Sequence, residues 1–414
     1  MSRMHQVKDS SIGKSISKSV GENVKSAGMR RFFAATQVVL ICLLTVVAAR
    51  AQAGPAEKPP MADDVFKNIQ VLKGLTVDQF MGTMGFIAAA LSLNCSECHD
   101  TSSSAAFALD NPRKQMTRRM ILMVDAFNKA NFGGKREVTC YSCHRGDTRP
   151  KVTPSLADQY STPLPDDPDE IEIPPTPIPN PLSADQLFEK YIQALGGAER
   201  LATINSFVAH GTYEGFDTSD DQVPVDIYAK APNQRAMFVH LGSLHEGAGD
   251  NIRVFDGRNA WNTSAGTFLP LPVLELTNGE REGAELDAAL GFPMQIKKLL
   301  KNWQTGFPPS RVDDNPVDVV QGTGANNTPV KFYFDKKSGL LIRLVRYTDT
   351  VLGLIPTQID YSDYRDVSGV KMPFHLVTTW TDGRSTTDLT SIQANVAVDG
   401  AKFAKPTPAA AQKP

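Results

Sequence analysis

The sequence predicts an α+β multidomain protein: a small all-α part, a Pro-rich acidic linker, and a curved antiparallel β-sheet, half-open like a barrel, with covering helices. Three observations carry that expectation. Two copies of C-x-x-C-H, Cys95-Ser96-Glu97-Cys98-His99 and Cys140-Tyr141-Ser142-Cys143-His144, start 45 residues apart among helix-patterned segments. Residues 151–182 hold nine prolines and six acids. After residue 205, strand-like runs alternate with turn signals.

At the amino end, Arg30 and Arg31 precede an apolar run over residues 32–49, and Ala49-Arg50-Ala51 or Ala51-Gln52-Ala53 offers small residues for cleavage. Residues 1–53 therefore read as a secretory signal peptide. The run also nears the lower length limit of a membrane span, so an uncleaved N-terminal anchor is the alternative. Cys42 lies inside the run without the small residues a lipoprotein signal places before it, and the polar stretch before Met29 points to translation starting at Met29. The chain carries a net charge of −2. Residues 1–50 hold eight basic and two acidic residues, so the remainder has 35 against 43, a net −8. That balance argues against nucleic acid as a partner.

Residues 61–150 form the first expected domain. Thr76-Val77-Asp78-Gln79 is a capping box, followed by apolar residues at Val77, Phe80, Met81, Met84, Ile87, Ala88 and Leu91, one helical stripe leading into Cys95. Asn111-Pro112 opens a second helix, with Met116, Met120, Met123, Val124 and Phe127 on one face before Gly133-Gly134. The order is helix, motif, helix, motif. Arg113, Lys114, Arg118 and Arg119 form a basic cluster, suited to haem propionates or an acidic partner, or simply a solvated helix face.

C-x-x-C-H is the signature of covalent c-type haem attachment: the cysteines, here Cys95, Cys98, Cys140 and Cys143, form thioethers, and His99 and His144 reach the iron. A zinc site or a redox dithiol shares part of the pattern, but zinc motifs rarely place His directly after the second Cys in both halves. The expected cofactors are thus two covalently bound c-type haems, and the first domain is an all-α c-type dihaem domain. Export suits this chemistry, since c-type haem is attached on the periplasmic side of the inner membrane. No histidine in the domain remains for the sixth iron position, which leaves Met. Met84 lies 11 residues before Cys95 and Met123 lies 17 before Cys140; Met81 and Met120 are the next choices. His/Met ligation raises the potential and closes the iron to peroxide, which favours electron transfer over catalysis.

Phe66-Lys67-Asn68-Ile69-Gln70-Val71-Leu72-Lys73, the helix into Asn94-Cys95-Ser96-Glu97-Cys98-His99, the segment from Met123 to Asn128, and Val138-Thr139-Cys140-Tyr141-Ser142-Cys143-His144-Arg145-Gly146 resemble the cytochrome c subunit of photosynthetic reaction centres. The resemblance implies haem attachment at both motifs and supports Met84 and Met123 as distal ligands. It implies a periplasmic partner, a reaction centre or a respiratory complex. It covers about 90 residues. Relatives that serve reaction centres carry four haems in two such pairs, whereas this chain has one pair and then a different domain.

The linker over residues 151–182 should be extended polyproline II around residues 174–181. Residues 183–405 form the second expected domain and residues 406–414 a disordered tail. Ser183 to Gln186 is a capping box for a helix through Leu187, Tyr191 and Leu195, ending at Gly196-Gly197. Strand-like runs follow at residues 207–213, 223–230, 235–241, 330–334, 340–347 and 375–380, interrupted by a helical patch over residues 280–303. This layout, with Tyr361-Ser362-Asp363-Tyr364-Arg365 and Gly369-Val370-Lys371-Met372-Pro373, is similar to periplasmic carriers of the outer-membrane lipoprotein-sorting type. That resemblance implies a cavity for an apolar ligand; the alternative is a scaffold that docks the cytochrome to a partner.

His210, His240, His245 and His375 read as strand-surface histidines rather than iron ligands, and Asp217, Asp220 and Asp221 as a solvated turn rather than a calcium loop. No phosphate-binding glycine loop or nucleophile elbow is present. The expected function is single-electron transfer between redox partner proteins in the periplasm, with no catalytic residues. A dihaem peroxidase, a haem-based sensor and a binding module centred on the β domain are the alternatives.

Overall fold

Thr76 accepts the backbone N–H of Gln79 while Gln79 reaches back to the Thr76 N–H, and this reciprocal cap starts the first long helix. The computed structural model describes residues 58–103, 105–154, 156, 180–244, 249–263, 271–325, 327–381 and 383–407. The leader, most of the linker, His245 and the last residues of the tail lie outside these. The helices of the first part are α1 (Ala62–Val65), α2 (Val77–Leu91), α3 (Cys95–Cys98), α4 (Pro112–Phe132) and α5 (Cys140–His144). Asn111 caps α4 ahead of Pro112, and Gly133 ends it at φ 62°, a left-handed turn that glycine adopts without strain. No helix among the described residues is long and apolar enough to cross a membrane.

The second part begins with α6 (Ala184–Ala194), capped by Ser183 and Gln186, and α7 (Ala198–Leu201). Strands β1 (Ser206–Gly215), β2 (Val223–Lys230), β3 (Gln234–His240), β4 (Asp250–Phe255), β5 (Ala260–Thr263) and β6 (Val273–Leu276) follow. Helices α8 (Asn278–Leu290) and α9 (Ile296–Leu299) separate them from β7 (Lys301–Gln304), β8 (Ser310–Val312), β9 (Asn315–Thr323), β10 (Pro329–Asp335), β11 (Leu341–Asp349), β12 (Leu354–Val367), β13 (Val370–Trp380) and β14 (Gly383–Ala394). Among the described residues all the strand pairings are antiparallel, in a fourteen-stranded sheet ordered β6-β5-β4-β3-β2-β1-β14-β13-β12-β11-β10-β9-β7, with β8 beside β9. The first and last strands meet at its centre. The expected antiparallel sheet with covering helices is present as a large open sheet.

The helical patch expected over residues 280–303 stops at Leu299; Trp303 lies in β7 instead. Its ring packs edge-on against Phe188 of α6 at 5.0 Å and near Phe332 of β10, and this aromatic contact favours the strand. Around it lies the main core, where Leu187, Phe188 and Tyr191 of α6 cover Phe332, Phe334, Leu341 and Leu344. Tyr361 and Gly369-Val370 belong to the β12–β13 hairpin, whose turn places Ser368 at φ 56° and Gly369 at φ 83° between paired Val367 and Val370.

The two parts share a packed surface. Val77 of α2 is fully buried among Phe255, Leu274, Leu276, Ala284 and Ala288, with Met81 beside them. Phe86 occupies the space that a Cβ at Gly353 would need, so that turn tolerates no side chain. Asp78, 8% exposed, accepts from the Thr277 N–H at 2.8 Å and hydroxyl at 3.0 Å, and the Thr76 and Thr277 hydroxyls bond at 3.0 Å. The N-cap residues of α2 and α8 are thereby joined. Burial, reinforced by Glu280, pushes the Asp78 carboxyl up to about 7 against the Thr277 hydrogen bonds. Arg136 closes the same seam on the Thr350 carbonyl and the Asp349 carboxylate.

Candidate haem sites

Each C-x-x-C-H motif folds as one short helix entered through a capping box, Asn94 with Glu97 for α3 and Thr139 with Ser142 for α5. Neither site stands alone. Asn111 Nδ2 donates to the Cys98 carbonyl at 2.8 Å and Arg113 to the Glu97 carbonyl at 2.7 Å, which ties the start of α4 to the first motif. The end of α4 holds the second: buried Asn128 donates to the Val138 carbonyl at 2.7 Å and accepts the Val138 N–H at 3.0 Å. Gly146 then donates to the Ala90 carbonyl at 3.1 Å, bringing the second motif against the end of α2. The sequence reading used Asn111 as a cap and gave Asn128 no role; an Asn late in the helical pattern, with Asn131 one turn further on, was the available signal.

Both histidines are oriented in the same manner. His99 Nδ1 lies 3.1 Å from the Phe107 carbonyl, and His144 Nδ1 lies 2.9 Å from the Asp147 carbonyl. A carbonyl can only accept, so each Nδ1 carries the proton and each Nε2 keeps its lone pair for a metal. Burial holds the His99 imidazole below its ordinary pKa, although the Phe107 hydrogen bond opposes this. None of the four cysteines is in a disulfide, and burial raises the thiols of Cys98 and Cys140. Among the described residues the motifs do not converge into a cluster of three or more metal-binding side chains.

The methionines sort by what they touch. Met81 packs toward the sheet with Val77, while Met84 lies partly buried beside Leu72, Leu75 and Ile121. On α4, Ile121 and Asn128 are the buried residues, whereas Met116, Met123 and Phe127 are 47%, 53% and 49% exposed. Of the Met116, Met120, Met123, Val124 and Phe127 stripe, Met120 and Val124 are half-buried and the other three are exposed. Phe107, Leu109, Phe132 and Tyr141 are exposed nearby in sequence. Free Nε2 atoms, paired thiols and uncovered apolar side chains fit a c-type haem at each motif.

The basic cluster is mostly engaged. Lys114 donates to the Phe107 and Leu109 carbonyls, Arg118 pairs with Asp110 at 2.6 Å, and Arg113 holds Glu97. In the sheet, His210 and His240 flank Asp226 at 2.6 and 3.2 Å, His240 also meets Asp250 at 3.0 Å, and His375 meets Asp388 at 2.5 Å. Asp217 accepts the Tyr213 hydroxyl at 2.6 Å within a turn. The main apolar face of the sheet is filled by the chain's own side chains, and a cavity of about 60 Å³ lies beside α8, lined in part by Leu286, Leu300, Val330 and Arg346.

Residues 16–163 match the family described as photosynthetic reaction centre cytochrome C subunit. The photosynthetic reaction center cytochrome c subunit of Thermochromatium tepidum is 39% identical over 97 residues, 22% of this chain and 23% of that protein. The corresponding subunit of Roseobacter denitrificans is 34% identical over 98 residues, 22% of this chain and 26% of that protein. The chain thus spans about a quarter of the length of these relatives. A LolA superfamily protein from Nitrosomonas europaea resembles the sheet part at 14% identity and a TM-score of 0.38, covering 54% of this chain and 98% of that one. This last likeness is one of general outline.

Proposed function

We propose that the chain is an exported dihaem c-type cytochrome that passes single electrons between redox proteins on the periplasmic side of the inner membrane. The observation that carries this reading is the pair of C-x-x-C-H helices, each with its histidine Nδ1 held on a backbone carbonyl and Nε2 left free. The likeness of the first part to reaction-centre cytochrome subunits supports it. When bound, haem supplies a one-electron ferrous/ferric couple. The chain's own residues would do the rest: Cys95, Cys98, Cys140 and Cys143 would hold the groups, and His99, His144, Met84 and Met123 would ligate their iron. A reaction centre or a respiratory complex is the partner class, and the β-rich part is the scaffold against which α2 is held.

The test is the absorption spectrum and pyridine haemochrome count of the exported protein, made in a host with cytochrome c maturation, beside Met84→Ala and Met123→Ala. Two haems per chain and a sulfur-to-iron charge-transfer band weakened in each variant are expected. High-spin iron in the unmutated protein would defeat the carrier reading in favour of a peroxidase or sensor, and a protein without covalent haem would defeat it altogether.

A further inference from the structure

The two motifs are alike in sequence but differ in what stands behind their histidines. The Phe107 carbonyl that faces His99 Nδ1 at 3.1 Å also accepts Lys114 Nζ at 2.5 Å, and Lys114 donates in addition to the Leu109 carbonyl at 2.7 Å. Lys114 is held there from the first turn of α4, where its N–H is capped by Asn111, whose amide grips the Cys98 carbonyl. The Phe107 ring stacks on the His99 ring, with centroids 5.1 Å apart, so the loop carrying this carbonyl is fixed against the imidazole. At the second motif, the Asp147 carbonyl facing His144 at 2.9 Å takes no second donor among the described residues. The Asp147 carboxylate is paired with Lys151 at 2.6 Å.

A ligating imidazole whose N–H is drawn to a strong acceptor gains imidazolate character, which favours ferric iron; a weaker acceptor favours ferrous iron. An ammonium sharing the acceptor weakens it, and its charge disfavours the ferric state directly. At the second motif the carbonyl is undivided among the described residues, and Lys151 pairs with the Asp147 carboxylate rather than with that carbonyl.

We propose that Lys114 sets the first haem, at Cys95-Cys98-His99, above the second in reduction potential, so that the second site is the donor and the first the acceptor within the chain. The proposal rests on the dihaem reading given above. One electron passes from the ferrous second site to the ferric first site; no bond breaks and no proton moves. Lys114 is a positioning residue, acting on His99 through the Phe107 carbonyl.

Spectroelectrochemical titration of the full-length holoprotein tests this, with haem counted by pyridine haemochrome. In Lys114→Gln the higher of the two midpoints should move down while the lower stays, and Lys114→Arg, which keeps the cation, should largely retain it. A lone shift of the lower midpoint, an equal shift of both, or no shift overturns the proposal. Independently of how Lys114→Gln folds, the Cys140→Ala/Cys143→Ala protein carries one haem, which should titrate near the higher wild-type midpoint; titration near the lower one overturns the assignment. Two haems with unmoved midpoints would sink the Lys114 role and leave the cytochrome reading intact, whereas a protein without covalent haem would remove both.

Discussion

The sheet part and the motif part differ in how each is completed. The sheet buries its own aromatic and aliphatic side chains, with Phe332 and Leu344 at 0% exposure, beneath a helix built from the same stretch of sequence. The motif part keeps only a small cluster around Leu72, Leu75 and Ile121 and leaves Met116, Met123 and Phe127 largely open. One region closes its core with protein. The other leaves apolar surface for a cofactor and leans on the sheet through α2.

The largest break in that comparison should come from the sheet's core. Phe332→Ala removes a fully buried ring packed against Phe188 and Trp303, and is expected to cost about 3–5 kcal/mol, read as a lowered denaturant midpoint. If the motif part were independent of the sheet, its haem spectrum would be untouched by that loss.

The seam between the regions should next reveal itself through pH. The folded carboxyl of Asp78 sits near 7 against a reference value of 3.8, so the native state holds a proton that the unfolded chain releases between these values. This contribution is complete below pH 3.8 and is lost as pH rises through about 7, a change of a few kcal/mol on the order given by 1.36 kcal/mol per unit. Urea unfolding across pH 4 to 8 should show that fall, and Asp78→Asn should flatten it; an unchanged slope in the variant would locate the dependence elsewhere.

A smaller effect, confined to the motif part, is expected from Asn128→Ala. It strands the Val138 N–H and carbonyl, at about 1–3 kcal/mol, and should speed hydrogen exchange around residues 138–146 without moving the sheet's amides. The smallest belongs to Arg136→Ala. Arg136 and Asp349 are themselves partly exposed, so about 0–1 kcal/mol is expected from their ion pair in the same unfolding assay; a loss several times larger would make this contact the main tie between the regions.

Local signals survived folding wherever one short segment contains its own reason. The Thr76–Gln79 and Ser183–Gln186 boxes, the Asn111-Pro112 start and the Gly133 stop all stand where the sequence places them. Strands β1, β2, β3, β10, β11 and the second half of β13 were legible from β-branched and aromatic runs. The short strands β5, β6, β7 and β8 were not, because their residues become strands only through the neighbours they pair with.

By itself the sequence determined the two C-x-x-C-H motifs, the helix before each and the antiparallel character of the second part, since each depends on spacing within a few residues. Tertiary structure alone decided which carbonyl faces each histidine, that Lys114 shares one of them, and that Asp78 is buried against a helix cap 199 residues away. The Asp78 contact joins segments far apart along the chain, whereas the carbonyls facing the histidines lie only three and eight residues further on, in loops that carry no repeating pattern. These contacts are selected by which pairings leave the fewest polar groups unsatisfied in the packed whole, and no periodicity in a single segment records that.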